Sequence, residues 1–440
     1  MRRVLVLGEF RADRLVPPLL RSGAQVTVLG FTDLTGFLDP RVTCAPLPKE
    51  LTEEALRVLI DAHRADTVVA GMSSPGQEQM LTLYARTGRS VGGGRMSLHS
   101  EAFATLACDK VALHREAARR GWPVPAGVVC EQPAQLIGAA RQLGFPVLAK
   151  EARSESFAGR HFVREPARLT ALGTSLTYPV LLQQALQGEE FAVELLTLPT
   201  GTVRWPVTAL GTLDGDCAPG RRARVQPALL PGPARLALDA LVRDIVETSR
   251  PVGPWQLDFA VTRAGRLQLI EINGRFGGVS NMSWTSTGTD PHRAHAEAVL
   301  HGRLPEHTRA VRAALELPVP NGTTLPPPPA GTTLSAFTAN PGYPGPRTSG
   351  FHRAVLATTP ARAADVREWL DRLPAGTLLP PVESAIARLE QGLAALSALS
   401  PLSALSPLSA LSAEESAPDP SAAATAAVPR PTRPTRRTDR

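Results

Sequence analysis

Residues 254–273 contain two strand-length runs, "PWQLDFAVT" and "RLQLIEIN", joined by the turn Arg263–Gly265. Short runs of alternating polarity around a Gly-containing turn predict a β-hairpin. The turn folds "LDFAVT" back on "LQLIEI" and sets Asp258 opposite Glu271. Residues two apart in a strand share a face, so Asn273 joins Glu271, and Arg275 would follow if the extended form persists past Gly274. Two carboxylates and an amide are hard oxygen ligands that suit Mg²⁺, which keeps waters and borrows phosphate oxygens from a substrate. The competing reading is that Asp258 and Glu271 are solvated strand-face acids. Both are embedded in apolar residues, where an unpaired acid is costly, and this favours the metal. Arg275, with glycines beside it, could bind a transferring phosphoryl group or an acyl-phosphate. It could also be one surface arginine among many.

Only three of the 47 Lys+Arg residues are lysines: Lys49, Lys110 and Lys150. A lysine that survives such a preference for arginine is a candidate for a task needing a compact ammonium. Lys150 ends the apolar strand "FPVLAK" before a Ser/Gly-containing loop, where a phosphate-binding cation would sit; a snorkelling strand-end lysine is the alternative. Lys110, in "CDKVALHREAARRG", reads by itself as a helix-surface residue, and Lys49 as chance.

The chain of 440 residues, 43% hydrophobic and 20% charged, is that of a globular protein with room for two or three domains. Its formal charge of +7 is thinly spread. Without a basic stripe interleaved with aromatics, this argues against a nucleic-acid partner. "MRRVLVLGEF" has an apolar run too short for a signal sequence, and no run approaches the ~20 residues that span a bilayer. Cys44, Cys108, Cys130 and Cys217 are scattered without a CxxC, which predicts a cytoplasmic protein with free thiols.

Alternating strands and helices over 1–95 predict a Rossmann-like α/β domain with a parallel sheet. Its first turn, "VLGEFRAD", lacks the G-x-G-x-x-G of a dinucleotide site. Over 96–318 the pattern becomes α+β: a long helix through "LACDKVALHREAARRG", a second at "AQLIGAARQLG", then strands at "FPVLAKEA", "PVLLQQAL", "EEFAVELLTL" and "TVRWPVTAL" ahead of the hairpin. Residues 319–395 read as a proline-rich linker and a small helical appendage. The repeat "LSALSP" opens a low-complexity tail, 396–440, expected to be disordered.

In order and spacing these segments resemble the ATP-grasp superfamily of carboxylate–amine (or carboxylate–thiol) ligases over roughly residues 1–318. The resemblance implies an α/β pre-ATP-grasp domain followed by a two-lobed ATP-grasp domain. "CDK…GWPVP" and "GFPVLAK" are similar to the family's phosphate-binding segments and make Lys110 and Lys150 the two cations. "LLQQALQGEEF" resembles the hinge that holds adenine, with Gln183, Gln184 and Leu186 lining it and Glu190 on the ribose. "LDFAV" and "LIEINGRFGG" resemble the metal strands, so Asp258, Glu271 and Asn273 would hold two Mg²⁺ or Mn²⁺ ions, with Arg275 on the transferred phosphate. The implied activity is ATP-dependent activation of a small-molecule carboxylate as an acyl-phosphate, attacked by an amine or similar nucleophile, with ADP and phosphate released. An ATP-binding module without turnover and a kinase-like phosphotransferase are the alternatives. The loop after Lys150 has only Gly159 where many relatives have several glycines, and residue 274 is glycine where proline is usual. Arg204, Arg221, Arg222, Arg224 and His161 are candidates to meet an anionic substrate. No membrane partner is implied, and a homodimer is left open.

Overall fold

The alternation at the start of the chain builds β1 (Arg3–Leu7), α1 (Ala12–Arg21), β2 (Gln25–Gly30), β3 (Thr43–Pro46), α2 (Glu53–Ala62), β4 (Thr67–Ala70), α3 (Met80–Ser90) and β5 (Met96–Ser97). The computed structural model describes residues 1–402 except Phe10, Thr32, Lys49 and segments 71–79, 92–95, 154–158, 214–220 and 338–349. Among the described residues these strands form a parallel sheet in the order β3-β2-β1-β4-β5. Thr52 caps α2 by accepting the Ala55 N–H at 3.1 Å, as its side-chain oxygen allows at a helix start. The sequence reading had three of these strands. The two it lacked, β3 and β5, span four and two residues, too few to show a period.

The helix expected through Asp109 is two helices, α4 (Glu101–Cys108) and α5 (Lys110–Arg120). Asp109 is extended (φ −130°, ψ 107°), and its Oδ1 accepts the Val111 and Ala112 N–H groups at 3.0 and 2.9 Å. An aspartate so placed ends one helix and caps the next. Then follow β6 (Gly127–Cys130), α6 (Leu136–Leu143), β7 (Val147–Glu151), β8 (Arg160–Val163), α7 (Pro166–Gly173) and β9 (Val180–Gln184). The four strands form an antiparallel sheet, β6-β9-β7-β8. Val147, Ala149, Val163 and Leu182 on one face pack with Leu136 and Leu169 of the two helices.

The remaining elements are β10 (Gly188–Leu198), β11 (Gly201–Arg204), β12 (Thr208–Thr212), β13 (Arg224–Gln226), α8 (Gly232–Ser249), β14 (Gly253–Thr262), β15 (Leu267–Asn273), α9 (Ser280–Thr287), α10 (Pro291–His301), β16 (Ala313–Pro320), β17 (Thr333–Phe337), β18 (Phe351–Thr358), α11 (Ala363–Asp371) and α12 (Val382–Leu402). Their strands build one sheet, β15-β14-β10-β12-β13-β16-β18-β17, with β11 pairing to β10. On one face Phe191, Val193, Leu257 and Phe259 pack against Leu238 and Ile245 of α8. By alternation the other face carries polar residues: Glu190 and Glu194 on β10, Gln256 and Asp258 on β14, and Glu271 and Asn273 on β15.

The segment expected to be a linker and appendage continues this sheet, and the boundary expected at 318 falls inside β16. Its prolines conceal the strand pattern. Pro318 pairs with Arg353 of β18, yet its carbonyl accepts from Leu379 N–H at 3.0 Å. Its nitrogen therefore faces away from β18, where a proline removes no ladder bond. Helix α12 runs through Leu402, past the expected start of the tail at 396; residues 403–440 lie outside the described part of the chain. Among the described residues no helix is long and apolar enough to cross a membrane. Among the described residues Cys44, Cys108 and Cys130 are in no disulfide, and Cys217 lies outside them.

Candidate nucleotide and metal site

Asp258 and Glu271 are cross-strand partners, as the hairpin requires. Asp258 accepts from Gln256 Nε2 at 2.7 Å and Asn273 Nδ2 at 2.8 Å, all three side chains being buried. Burial, reinforced by the Glu271 charge, pushes the Asp258 carboxyl well above its usual range. Burial also opposes ionisation of Glu271, but Lys110, Lys150 and Arg160 overcome it and hold that carboxyl below its usual value. Of the two, Asp258 is the one whose surroundings favour the protonated form and Glu271 the one favoured as the anion. A divalent cation would replace the Asp258 proton and relieve the repulsion. The donor set, two carboxylates and an amide of hard oxygen chemistry, fits Mg²⁺ or Mn²⁺ completed by water and phosphate oxygens. Among the described residues no cluster of three His, Cys, Asp or Glu side chains offers a closed cage.

The hairpin departs from strict alternation at one place. Pairing skips Ile270, so a bulge lies between the Asp258–Glu271 and Phe259–Leu269 pairs. A bulge lets two successive residues face one side. Ile270 accordingly lines a cleft with Leu148, Phe162, Lys150, Gln183 and Leu186.

Lys150 and Arg160 face each other on β7 and β8, on the same face as Leu148 and Phe162. Lys150 is 4% exposed, and burial, with Arg160 and Lys110 adding repulsion, brings its pKa down to about 7 against the pull of Glu271 and Glu190. Lys110 opens α5, and its backbone N–H donates to Ala152 O at 2.8 Å, just after β7. A cation at a helix N-terminus is opposed by the helix dipole. Glu271 supplies its counter-charge.

Gln183 is buried on the cleft face of β9, with its Oε1 lacking a hydrogen-bond partner. An orphaned acceptor among apolar side chains suits a ligand amine. Gln184 also borders the cleft, but it pairs with Val147 on the opposite face and is exposed. Glu190 lies on the polar face of the large sheet, where its Oε2 is 2.9 Å from Arg222 Nη2 in a buried ion pair. Arg275 does not continue the strand: β15 ends at Asn273, the chain bends, and Arg275 Nη1 is 3.4 Å from Phe276 O.

Two of the substrate candidates face elsewhere. Arg204 pairs with Leu195 on the apolar face and binds Asp239 of α8 at 2.5 Å. His161 pairs with Ala149, on the helix-covered face of the small sheet. Arg221 is exposed, while Arg222 and Arg224 are buried on the polar side. Glu194, absent from the sequence reading, accepts from Gly277 N–H at 3.1 Å, Ser280 Oγ at 2.7 Å and Ser283 Oγ at 2.6 Å. It thereby fixes the turn that follows β15. Its spacing from Glu190, four residues along an alternating strand, was the available signal.

Sequence comparison finds no match among family models or curated proteins. Structural comparison does find matches. An L-amino acid ligase from Bacillus licheniformis aligns over 84% of this chain and 97% of its own, with 19% identity and a TM-score of 0.64. An N5-carboxyaminoimidazole synthase from Aspergillus clavatus, in complex with ADP and 5-aminoimidazole ribonucleotide, aligns over 88% and 99%, with 17% identity and a TM-score of 0.66. The biotin carboxylase domain of a Hydrogenobacter thermophilus 2-oxoglutarate carboxylase, a dimer with MgADP, ADP and bicarbonate, aligns over 88% and 94%, with 14% identity and a TM-score of 0.64. The chain has the ATP-grasp fold. In this ATP-grasp chain the cleft bordered by Lys150, Gln183 and Ile270 lies between the small sheet and the large one, with the carboxylate pair on the latter.

Proposed function

We propose that the chain is an ATP- and Mg²⁺-dependent ligase that activates a small-molecule carboxylate for attack by an amine or similar nucleophile. The observation that carries this reading is the convergence of Lys110, Lys150 and Arg160 on the half-buried Glu271, paired with the buried Asp258. Three cations around two carboxylates match a nucleotide's phosphates with their metal. The fold-mates, one named as a ligase and others holding ADP or MgADP, support it.

The reaction transfers the γ-phosphoryl group of ATP to a carboxylate oxygen, breaking its bond to ADP. The nucleophile then takes the acyl group and phosphate leaves. Leu148, Phe162 and Ile270 give the base an apolar slot, and Gln183 Oε1 accepts from its amine. Lys150 and Lys110 neutralise the phosphates, Gln184 and Leu186 border the slot, and Glu190 lies toward the ribose. Asp258, Glu271 and Asn273 would hold two Mg²⁺ or Mn²⁺ ions, which when bound neutralise charge on the phosphates. Arg275 would meet the transferred phosphate. In this reading the protein works in the cytoplasm, as a monomer or a homodimer.

The test is ADP release from Mg-ATP with pooled carboxylates and amines, comparing wild type with Glu271→Gln. Release by wild type alone, dependent on a carboxylate, supports the reading. Undiminished release from the variant sinks the assignment.

A further inference from the structure

A second charged constellation shares the polar face of the large sheet with the metal pair. Arg224 on β13 pairs across to Glu316 on β16, and Arg353 lies on β18 two residues from Val355, the partner of Glu316. All three side chains therefore project to one face. Both arginines reach the same oxygen of Glu316, Arg224 Nη1 at 3.2 Å and Arg353 Nη1 closer still. Glu316 is fully buried, and its other oxygen, Oε2, has no hydrogen-bond partner. Beside them stands the buried Arg222–Glu190 pair. Among the described residues, three guanidinium groups thus stand with two carboxylates on this face.

A clamp serving only to join strands would not look like this. Buried ion pairs rarely stabilise more than apolar residues of equal volume, and a buried acceptor left unmade is a net loss. The arrangement also has an approach: Gly278 is exposed, and a β-carbon there would sit 3.7 Å from Arg224 Nη1. The guanidinium thus lies under a turn without a side chain. Arg353 is held over the Phe351 ring at 5.5 Å.

We propose that Arg224 and Arg353, held side by side by Glu316, bind a second carboxylate of the substrate, whose adjoining ammonium or hydroxyl donates to Glu316 Oε2. Two arginines side by side suit the two oxygens of a carboxylate, and the unpartnered Glu316 Oε2 beside them suits a donor on the neighbouring carbon. Three strand spacings separate β13 from β14, about 14 Å measured along the sheet at ~4.8 Å each. The anchored group is therefore distinct from the carboxylate that reacts at the metal pair. The substrate class is a small diacid, with the amino-dicarboxylic acids fitting all three side chains. The inference rests on the ligase reading for its reactive end.

The experiment is calorimetric binding of L-aspartate, L-glutamate, succinate and glutarate to full-length protein saturated with MgADP, with propionate and butyrate as monoacid controls. MgADP affinity is measured first and separately. At least one diacid should bind where the monoacids do not. Arg353→Gln, which leaves the Arg224–Glu316 pair in place, should weaken that binding about tenfold or more, as loss of a charged hydrogen bond implies. Gly278→Leu, which covers Arg224 without straining the backbone, should weaken it too, both variants keeping wild-type MgADP affinity. Equal binding of monoacids and diacids, wild-type diacid affinity in both variants, or MgADP binding with no diacid binding would overturn the proposal. Failure of MgADP to bind would instead sink the ligase reading.

Discussion

The Nε2 atom of His99 donates to the carbonyl oxygen of Gly274, 3.0 Å away, and to that of Pro254 at 3.1 Å. Val252 N–H donates to its Nδ1 at 3.1 Å, so the ring is neutral with its proton on Nε2. One buried imidazole thus ties the turn after Asn273 to the start of α4 and to the entry of β14.

Burial brings the His99 pKa down to about 4. Above pH ~6.5 the ring is neutral in both folded and unfolded chains. Between that value and about 4 only the unfolded chain takes up the proton, so stability falls as pH drops through this window, by at most roughly 3 kcal/mol from this residue. His295, lowered to about 4 by burial, acts in the same direction. His99→Asn should therefore be less stable at pH 7.5 by about 1–3 kcal/mol through its lost hydrogen bonds, yet lose less on acidification than wild type. Urea unfolding at pH 7.5 and 4.5 reads both; an unchanged acid loss would show that His99 does not carry it.

The Asp258–Glu271 pair should respond oppositely in fold and function. In the folded chain without metal Asp258 keeps its proton at pH values where the unfolded residue is ionised, so its contribution to stability falls as pH rises above about 4. Asp258→Asn removes this and should raise the stability of metal-free protein at pH 8 by about 1–2 kcal/mol. The same change should abolish the thermal stabilisation that Mg²⁺ adds with ADP. A variant less stable without metal, or still responsive to Mg²⁺, contradicts the assignment.

How much of this could be read in the sequence depended on how far each contact lies from regular geometry. The Asp258–Glu271 register follows from a short turn and a period of two, and Lys150 from an apolar strand that ends in a rare residue. The bulge that turns Ile270 into the cleft is one extra residue and leaves no mark in an alternation pattern. The break at Asp109 was hidden because helical periodicity runs on through it; what ends α4 there is the extended backbone of Asp109, which frees its side chain to cap α5. Charge alone makes Arg204 and His161 candidates, whereas strand parity decides the face they occupy. His99 carries no local pattern, since its three partners come from segments more than 150 residues away.

Lys150 should make nucleotide binding take up a proton. Its pKa of about 7 against an unfolded value near 10.4 means that, between these pH values, only the unfolded chain is protonated there. The stability of nucleotide-free protein therefore rises as pH increases through that window. Phosphates beside Lys150 restore its charge. Calorimetric titration of MgADP at pH 8 in buffers of different ionisation enthalpy should show uptake of a substantial fraction of one proton. Lys150→Met should abolish that uptake, weaken MgADP at least about tenfold, and be more stable than wild type at pH 7. Uptake persisting in Lys150→Met would assign the proton to another group.

Two glycine-to-alanine changes should have opposite signs for reasons fixed by their surroundings. Gly188 begins β10 opposite Thr262 with φ +142°, and a β-carbon there would sit 2.2 Å from the Val261 carbonyl oxygen. Neither the backbone conformation nor the neighbouring strand can accept it, so Gly188→Ala should destabilise by about 2–4 kcal/mol. The displaced strand carries Glu189, bound by Arg388 and Gln391 of α12, and Glu190 of the polar face. MgADP affinity should therefore fall together with stability. Gly138 lies exposed within α6, with nothing within 4 Å of an added β-carbon. Gly138→Ala should stabilise by about 0.5–1 kcal/mol by restricting the unfolded chain, and leave MgADP affinity unchanged. Chemical denaturation of both variants decides the matter. Equal effects would mean that the approach of β14 to the start of β10 is looser than these distances state.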